Sequence, residues 1–230
     1  MDPRTDARVP IALYRQMWDW MMLHDPDMPS LIEWSNEHRE FPASAQKVAS
    51  EVIWIILCAG RSAQAARTIE AKVWKALRED RPVVEVFGYR AKAEAIERAW
   101  RERERDFAGL LKARDDGIDG VLSWCRSIPF VGDDTQFQLA KNFGFDLCKP
   151  DIWLCRLAGL ADKPRRRVGL RFKACMDLCE PLARACGQRV ATVDSALWLA
   201  CNKGVLAVDA DAGPVRFSPR SQGYRGSIFS

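Results

Sequence analysis

A chain of 230 residues, 48% apolar and 29% charged, suits one large domain or two small ones sharing a core. Its longest apolar run, 52–60, is less than half of the roughly 20 residues a bilayer span requires, and the opening MDPRTDARVP lacks the apolar segment of a secretory signal. These features exclude a membrane partner and predict a cytoplasmic address, while a net charge of +4 permits nucleic-acid binding without indicating it.

Val-Ile-Thr alternation is scarce and apolar residues recur at spacings of three and four, so an all-α fold is expected. Residues 10–24 place Leu13, Met17, Trp18, Met21 and Met22 on one stripe. Residues 43–58 are so apolar toward their end that they read as a buried central helix. Ser62 is a candidate N-cap for a helix to residue 77 with Ala66, Ile69, Val73 and Leu77 inward. Further helices are expected over 90–105, 107–113, 118–126, 133–143, 151–161, 169–186 and 193–200, and no internal repeat is evident. From Gly204 the chain is rich in Gly, Ser, Pro and Arg, which predicts an irregular tail over 205–230.

Eight cysteines in a chain of this size read as small buried hydrophobes rather than a disulfide framework. An iron–sulfur cluster is disfavoured, because the gaps between Cys175, Cys179, Cys186 and Cys201 are three, six and fourteen residues, with no tight Cys-x-x-Cys step. With only His24 and His38, a histidine-rich metal site is also disfavoured. One basic patch stands out: Lys163, Arg165, Arg166, Arg167, Arg171 and Lys173 lie within eleven residues. It suits several phosphates, and it reads equally well as a solvated loop and helix start.

The stretch 117–159 carries the most information. A short helix ends at the turn Ile128-Pro129-Phe130-Val131-Gly132, and Asp133, Asp134 and Thr135 then open a second helix. The backbone N–H groups of Val131 to Asp134 are expected to point out of this turn, where they would suit a phosphate. Gly144 ends the second helix, and Pro150-Asp151 begins a third. On the residues alone, Asp151 reads as an N-cap.

The bracket Ile128-Pro129-Phe130-Val131-Gly132-Asp133-Asp134-Thr135-Gln136 resembles the Leu-Pro-Gly-Val-Gly-x-Lys-x-Ala hairpin of the helix-hairpin-helix DNA glycosylase superfamily. Pro150-Asp151-Ile152-Trp153-Leu154-Cys155-Arg156 resembles the Val-Asp-x-His-x-x-Arg segment that follows it. Ile56-Leu57-Cys58-Ala59-Gly60-Arg61-Ser62 is similar to the family's Leu-Leu-Ser-Ala-Gln segment, and Tyr89-Arg90-Ala91-Lys92-Ala93-Glu94-Ala95-Ile96 to its Asn-Lys-Ala-x-x-Ile helix. Val193-Asp194-Ser195-Ala196-Leu197-Trp198 is similar to the closing Asp-x-x-Leu-Trp segment of small archaeal-type 8-oxoguanine glycosylases, and Ala140-Lys141-Asn142-Phe143-Gly144 suits the same branch. Each piece is weak alone; the resemblance rests on their order over 48–204.

The resemblance implies two helical subdomains with a DNA-binding cleft between them and a helix-hairpin-helix motif at 117–143. The middle subdomain would span 62–147 and the second 1–61 with 148–204. It implies a monomer acting on duplex DNA, nucleoid-associated, that releases a damaged or modified base flipped from the helix. The carboxylate matching Asp151 would stabilise the sugar cation or orient the attacking water. No cofactor is implied beyond a structural monovalent cation at the hairpin. DNA contacts are expected from Gly60 and Arg61, as a wedge, and from Pro129, Val131, Gly132, Asp133 and Thr135 in the hairpin. Arg156 and the patch residues Arg165, Arg166 and Arg167 would add phosphate contacts. Trp153, Trp198 and Asp194 are candidates for the base pocket, the other tryptophans reading as core.

Two departures limit the carry-over. The family's strand-nicking lysine falls in the register of Asp134, which cannot form a Schiff base. Lys141 is two helical turns away, and no motif supports Lys149. The expectation is therefore a monofunctional glycosylase, with Asp134 either capping its helix or helping to activate water. Phe130 replaces a glycine of the hairpin. Glu51 is a candidate second acid by analogy with relatives that protonate a purine, although it stands one turn early and reads otherwise as a partly exposed helix residue. A glycosylase-derived protein that binds DNA or a modified base without cutting is the alternative.

Overall fold

The computed structural model describes residues 8–61, 63–162 and 167–219. Among these the protein is helical apart from one antiparallel pair of two-residue strands, as the periodicity predicted. The chain divides into two compact units. Among the described residues, one contains those through Arg39 together with those from Asp146 onward; the other is Glu40–Phe145.

The 40–145 unit is built around α3 (Ala45–Cys58). Nine of its 14 residues are buried, on all sides of the helix, so it has to be enclosed rather than laid on a surface. Ser44 caps it, its Oγ accepting the Lys47 N–H at 3.2 Å. The helices α4 (Ala63–Arg78), α6 (Arg90–Arg101), α7 (Arg103–Asp115) and α9 (Thr135–Asn142) pack against α3, while α5 (Val84–Phe87) joins α4 to α6 and α8 (Gly117–Ser127) pairs with α7 and α9. This packing moves the expected subdomain boundary. The first crossing falls after Arg39 rather than after 61, because α3 is the core of this unit and not of the other. The return falls after Phe145, two residues before the expected 147.

The other unit has an equivalent centre. Ten of the 13 residues of α12 (Val190–Asn202) are buried. Around it lie α1 (Ile11–His24), α2 (Met28–Glu37), α10 (Ile152–Leu157) and α11 (Val168–Cys186). The strands β1 (Leu206–Ala207) and β2 (Arg216–Phe217) follow, paired Leu206 to Phe217 and Ala207 to Arg216. The expected irregular tail is thus ordered in its first part: Val205, Leu206 and Val208 are buried in this core. Residues 220–230 lie outside the described residues.

Several helix limits differ from the pattern reading. The expected helix 90–105 breaks at Glu102, whose ψ of 16° departs from the helical value and starts α7 four residues earlier than expected. The helix expected from 151 to 161 is six residues long. α2 was not anticipated, although Asp27-Met28-Pro29 places a proline in its first turn.

Candidate functional site

The sequence-predicted residues divide between the two units. In the unit that contains Asp151, that residue is the N-cap of α10: its backbone is extended, and its Oδ1 accepts the Leu154 N–H at 3.0 Å. The capping bond fixes the carboxylate's orientation against the first turn. The approach to it is fixed as well. Asp194, 2% exposed on α12, accepts the Lys149 N–H at 3.0 Å through Oδ2, and Arg171 Nη1 donates to the Pro150 carbonyl at 3.0 Å. Asp194, expected in a base pocket, is thus engaged in holding the backbone two residues before Asp151.

Arg156, expected on a phosphate, instead makes a bidentate pair with Asp162, at 2.9 Å through Nε and 2.6 Å through Nη2. Asp162 raises the Arg156 pKa by that hydrogen bond. Its guanidinium lies 5.0 Å from the ring centre of Trp153. Trp153 and Trp198 are partly buried against the core of this unit. Arg167 is exposed at the N-cap of α11, whereas Arg165 and Arg166 lie outside the described residues.

In the 40–145 unit, α8 and α9 are joined by residues 128–134. Ile128 is extended, as a residue before proline must be. The Val131 N–H donates to the Ile128 carbonyl at 3.1 Å, closing a turn through Pro129 and Phe130. Phe130 has φ +66°, the left-handed region that glycine occupies without cost. The backbone here takes a conformation that glycine adopts without strain while carrying an aromatic ring. Gly132 is not at positive φ, and a Cβ built there meets Thr135 Oγ1 at an ordinary 3.8 Å.

The expectation that the N–H groups of Val131 to Asp134 point outward needs correction at its first two positions. Val131 is engaged in the turn, and the Gly132 N–H donates to Thr135 Oγ1 at 2.6 Å. Thr135 is thus occupied within the turn. Asp134 stands at the N-cap of α9 without a side-chain capping bond, so the capping expected of it is absent. Asp133 pairs with Arg126 at 3.0 Å, and Arg126 Nη1 also donates to the Val131 carbonyl at 2.8 Å.

Glu51 is not the partly exposed helix residue expected. It is 6% exposed, with Oε1 2.7 Å from Lys47 Nζ and Oε2 accepting from Asn142 Nδ2 at 2.9 Å. A buried acid bridging α3 and α9 is a structural tie. Lys141, weighed as a stray nucleophile, is 3% exposed. Gly60 has φ +70° just beyond the C-cap of α3, and the Arg61 guanidinium lies 4.6 Å from the Phe87 ring centre.

Lys92 stands in the segment 89–96, on α6. It is buried, donates to the Ala59 carbonyl at the end of α3, and lies 5.9 Å from the Tyr89 ring and 5.7 Å from the Phe130 ring. Burial, then the Arg61 charge, holds its amine below the usual lysine range. Helical spacing does carry a signal for it: Ala95, Ile96 and Ala99, three, four and seven residues on, form the buried face of α6.

Two surface hollows in this unit, one against Gly109, Ala113 and Trp124 and one against Leu77, Arg81 and Trp100, contain none of the predicted site residues. Among the described residues no group of three or more His, Cys, Asp or Glu side chains is arranged to hold a metal ion, and no helix is long and apolar enough to cross a membrane. No protein-family model, curated protein or solved structure matches the chain.

Proposed function

We propose that the protein is a DNA glycosylase that hydrolyses the N-glycosidic bond of a damaged or modified base flipped out of duplex DNA, without nicking the strand. The reading is carried by Asp151, a half-buried carboxylate oriented by the Leu154 N–H at the start of α10, in the register where the resemblance has the sugar-facing acid. In the reaction the base departs with the bonding electrons, positive charge develops on the sugar, and water adds to its anomeric carbon. Asp151 would stabilise that charge or orient the water. The pair of helices α8 and α9 would serve as the helix-hairpin-helix motif and approach the backbone of the duplex. Asp134 in the lysine register is the reason to expect hydrolysis without lyase chemistry.

A second reading is favoured by one observation. Val131 and Gly132 already have hydrogen-bond partners for their N–H groups, and two acids follow them. A hairpin so occupied suits a glycosylase-derived protein that holds DNA or a modified base without cutting.

Duplexes carrying 8-oxoguanine, uracil, alkylated purines or hydroxymethyl pyrimidines discriminate the two. After incubation and alkali, the glycosylase reading expects strand breaks on at least one substrate and their loss in Asp151→Asn. Salt-sensitive binding with no break on any of them supports the binding reading. Breaks that persist in Asp151→Asn remove Asp151 from the chemistry.

A further inference from the structure

Cys148, Cys155 and Cys175 lie in the unit that contains Asp151, and the proposed chemistry uses none of them. The sequence suggested small core hydrophobes; the geometry is more specific. Cys155 on α10 and Cys175 on α11 have their Sγ atoms 3.9 Å apart, and the two helices pack directly together. Cys155 Sγ also donates to the Pro150 carbonyl at 3.4 Å, the same oxygen that receives Arg171 Nη1. Cys148 and Cys175 are fully buried, whereas Cys155 is 8% exposed.

We propose that Cys155 and Cys175 are a redox-active dithiol, closed to a disulfide when a peroxide reaches Cys155. A disulfide needs its sulfurs about 2.05 Å apart, so the pair has to close from 3.9 Å by side-chain rotation or by an approach of α10 to α11. The two thiols are unequal in the way such a pair requires. The hydrogen bond from Cys175, together with the Arg171 charge, holds the Cys155 thiol below the usual range, while hydrogen bonds to Cys148 and Cys155, and burial, push that of Cys175 up. Cys155, the one of the pair with any exposure, is the attacking sulfur, and Cys175, fully buried, the resolving one.

The balance is simple. The Cys155 thiolate attacks one oxygen of hydrogen peroxide, the O–O bond breaks, and the departing hydroxide gains a proton and becomes water. The sulfur of Cys175 then attacks that of the Cys155 sulfenic acid. The S–O bond breaks, and the oxygen leaves as a second water with the Cys175 proton. Two thiols are oxidised to one disulfide, and one peroxide is reduced to two waters; an external dithiol reverses the step by exchange. The bond would tether α10, four residues beyond Asp151, to α11. The proposal is independent of the glycosylase reading.

The test is peptide mapping under non-reducing conditions of the full, folded chain treated with one equivalent of hydrogen peroxide. The expected product is a Cys155–Cys175 cross-linked peptide that has lost two hydrogens, formed before Cys58 and Cys186 react. Those two thiols are the more exposed, so reactivity set by exposure alone would modify them first. Cys175→Ser, which keeps a hydrogen-bond donor beside Cys155 but cannot close the bond, is expected to stop at a Cys155 sulfenic acid trapped by dimedone, and Cys155→Ala to leave Cys175 reduced. Oxidation of Cys58 or Cys186 while Cys155 and Cys175 remain reduced overturns the proposal, as does a bond from Cys175 to Cys148 instead. The wild-type map decides this even if a variant fails to fold.

Discussion

Lys92, on α6, is a buried fastener. Its amine donates to the Ala59 carbonyl, one of the acceptors a helix end leaves without an intrahelical donor, and a cation there also complements the negative end of α3. Burial opposes the same charge and holds the amine below its ordinary value of 10.5. In the unfolded chain the ordinary value returns, so between the two the unfolded state binds more protons and stability rises with pH. The cost of the charged amine is complete below the folded value and gone above 10.5. Urea unfolding from about pH 8 upward, in wild type and Lys92→Met, measures this through the m-value extrapolation. The stability of wild type relative to the variant is expected to climb across the alkaline range. A constant difference would show that the amine is not perturbed.

At the scale of elements, the turn between α8 and α9 makes a sharper demand on one residue. A non-glycine residue in the left-handed region costs roughly 1–2 kcal/mol. Phe130 offsets this only in part, being 36% exposed and touching Tyr89 edge to face at 6.2 Å. Phe130→Gly removes both the ring and the strain and adds the chain entropy of a glycine, so its cost is expected to stay within about 1 kcal/mol. That is far below the roughly 3–5 kcal/mol of an ordinary aromatic truncation. Chemical denaturation checks this; a loss above about 3 kcal/mol would mean that the ring, not the backbone, determines the turn.

The same turn marks how far the sequence could be read. Its place, the helices on either side, the stop at Gly144 and the cap at Asp151 were legible because Pro and Gly act through their own backbones and a capping Asp through the N–H three residues on. The occupation of the Gly132 N–H by Thr135 was not, since a hydroxyl three residues on suits a cap, a turn or solvent equally. The fate of Arg156 depended on Asp162, and that of Glu51 on Asn142, 91 residues away. Periodicity describes which face of a helix is apolar; it carries no record of which distant polar group meets it.

At the scale of the whole molecule, the unit that contains Asp151 is assembled from the two ends of the described chain, and buried and partly buried polar contacts join them. Tyr14 donates to Gln188 Oε1 at 2.6 Å, Ser35 and Thr192 hydroxyls meet at 2.5 Å, and Arg189 donates to the carbonyls of Ser35 and His38. The deepest of these contacts is Lys203, fully buried after α12, which lies 2.5 Å from Asp27 and 3.2 Å from Asp25 in the turn between α1 and α2. Desolvating three charges is costly, so the triad gives little net stability, but removing its cation leaves two buried carboxylates facing each other. Lys203→Ala is therefore expected to cost about 3–5 kcal/mol in urea unfolding. Lys203→Met with Asp25→Asn and Asp27→Asn removes all the charges and fills much of the space, and is expected to recover most of that loss. If the single variant costs under about 1 kcal/mol, water reaches these carboxylates and the triad adds little to the joining of the two ends.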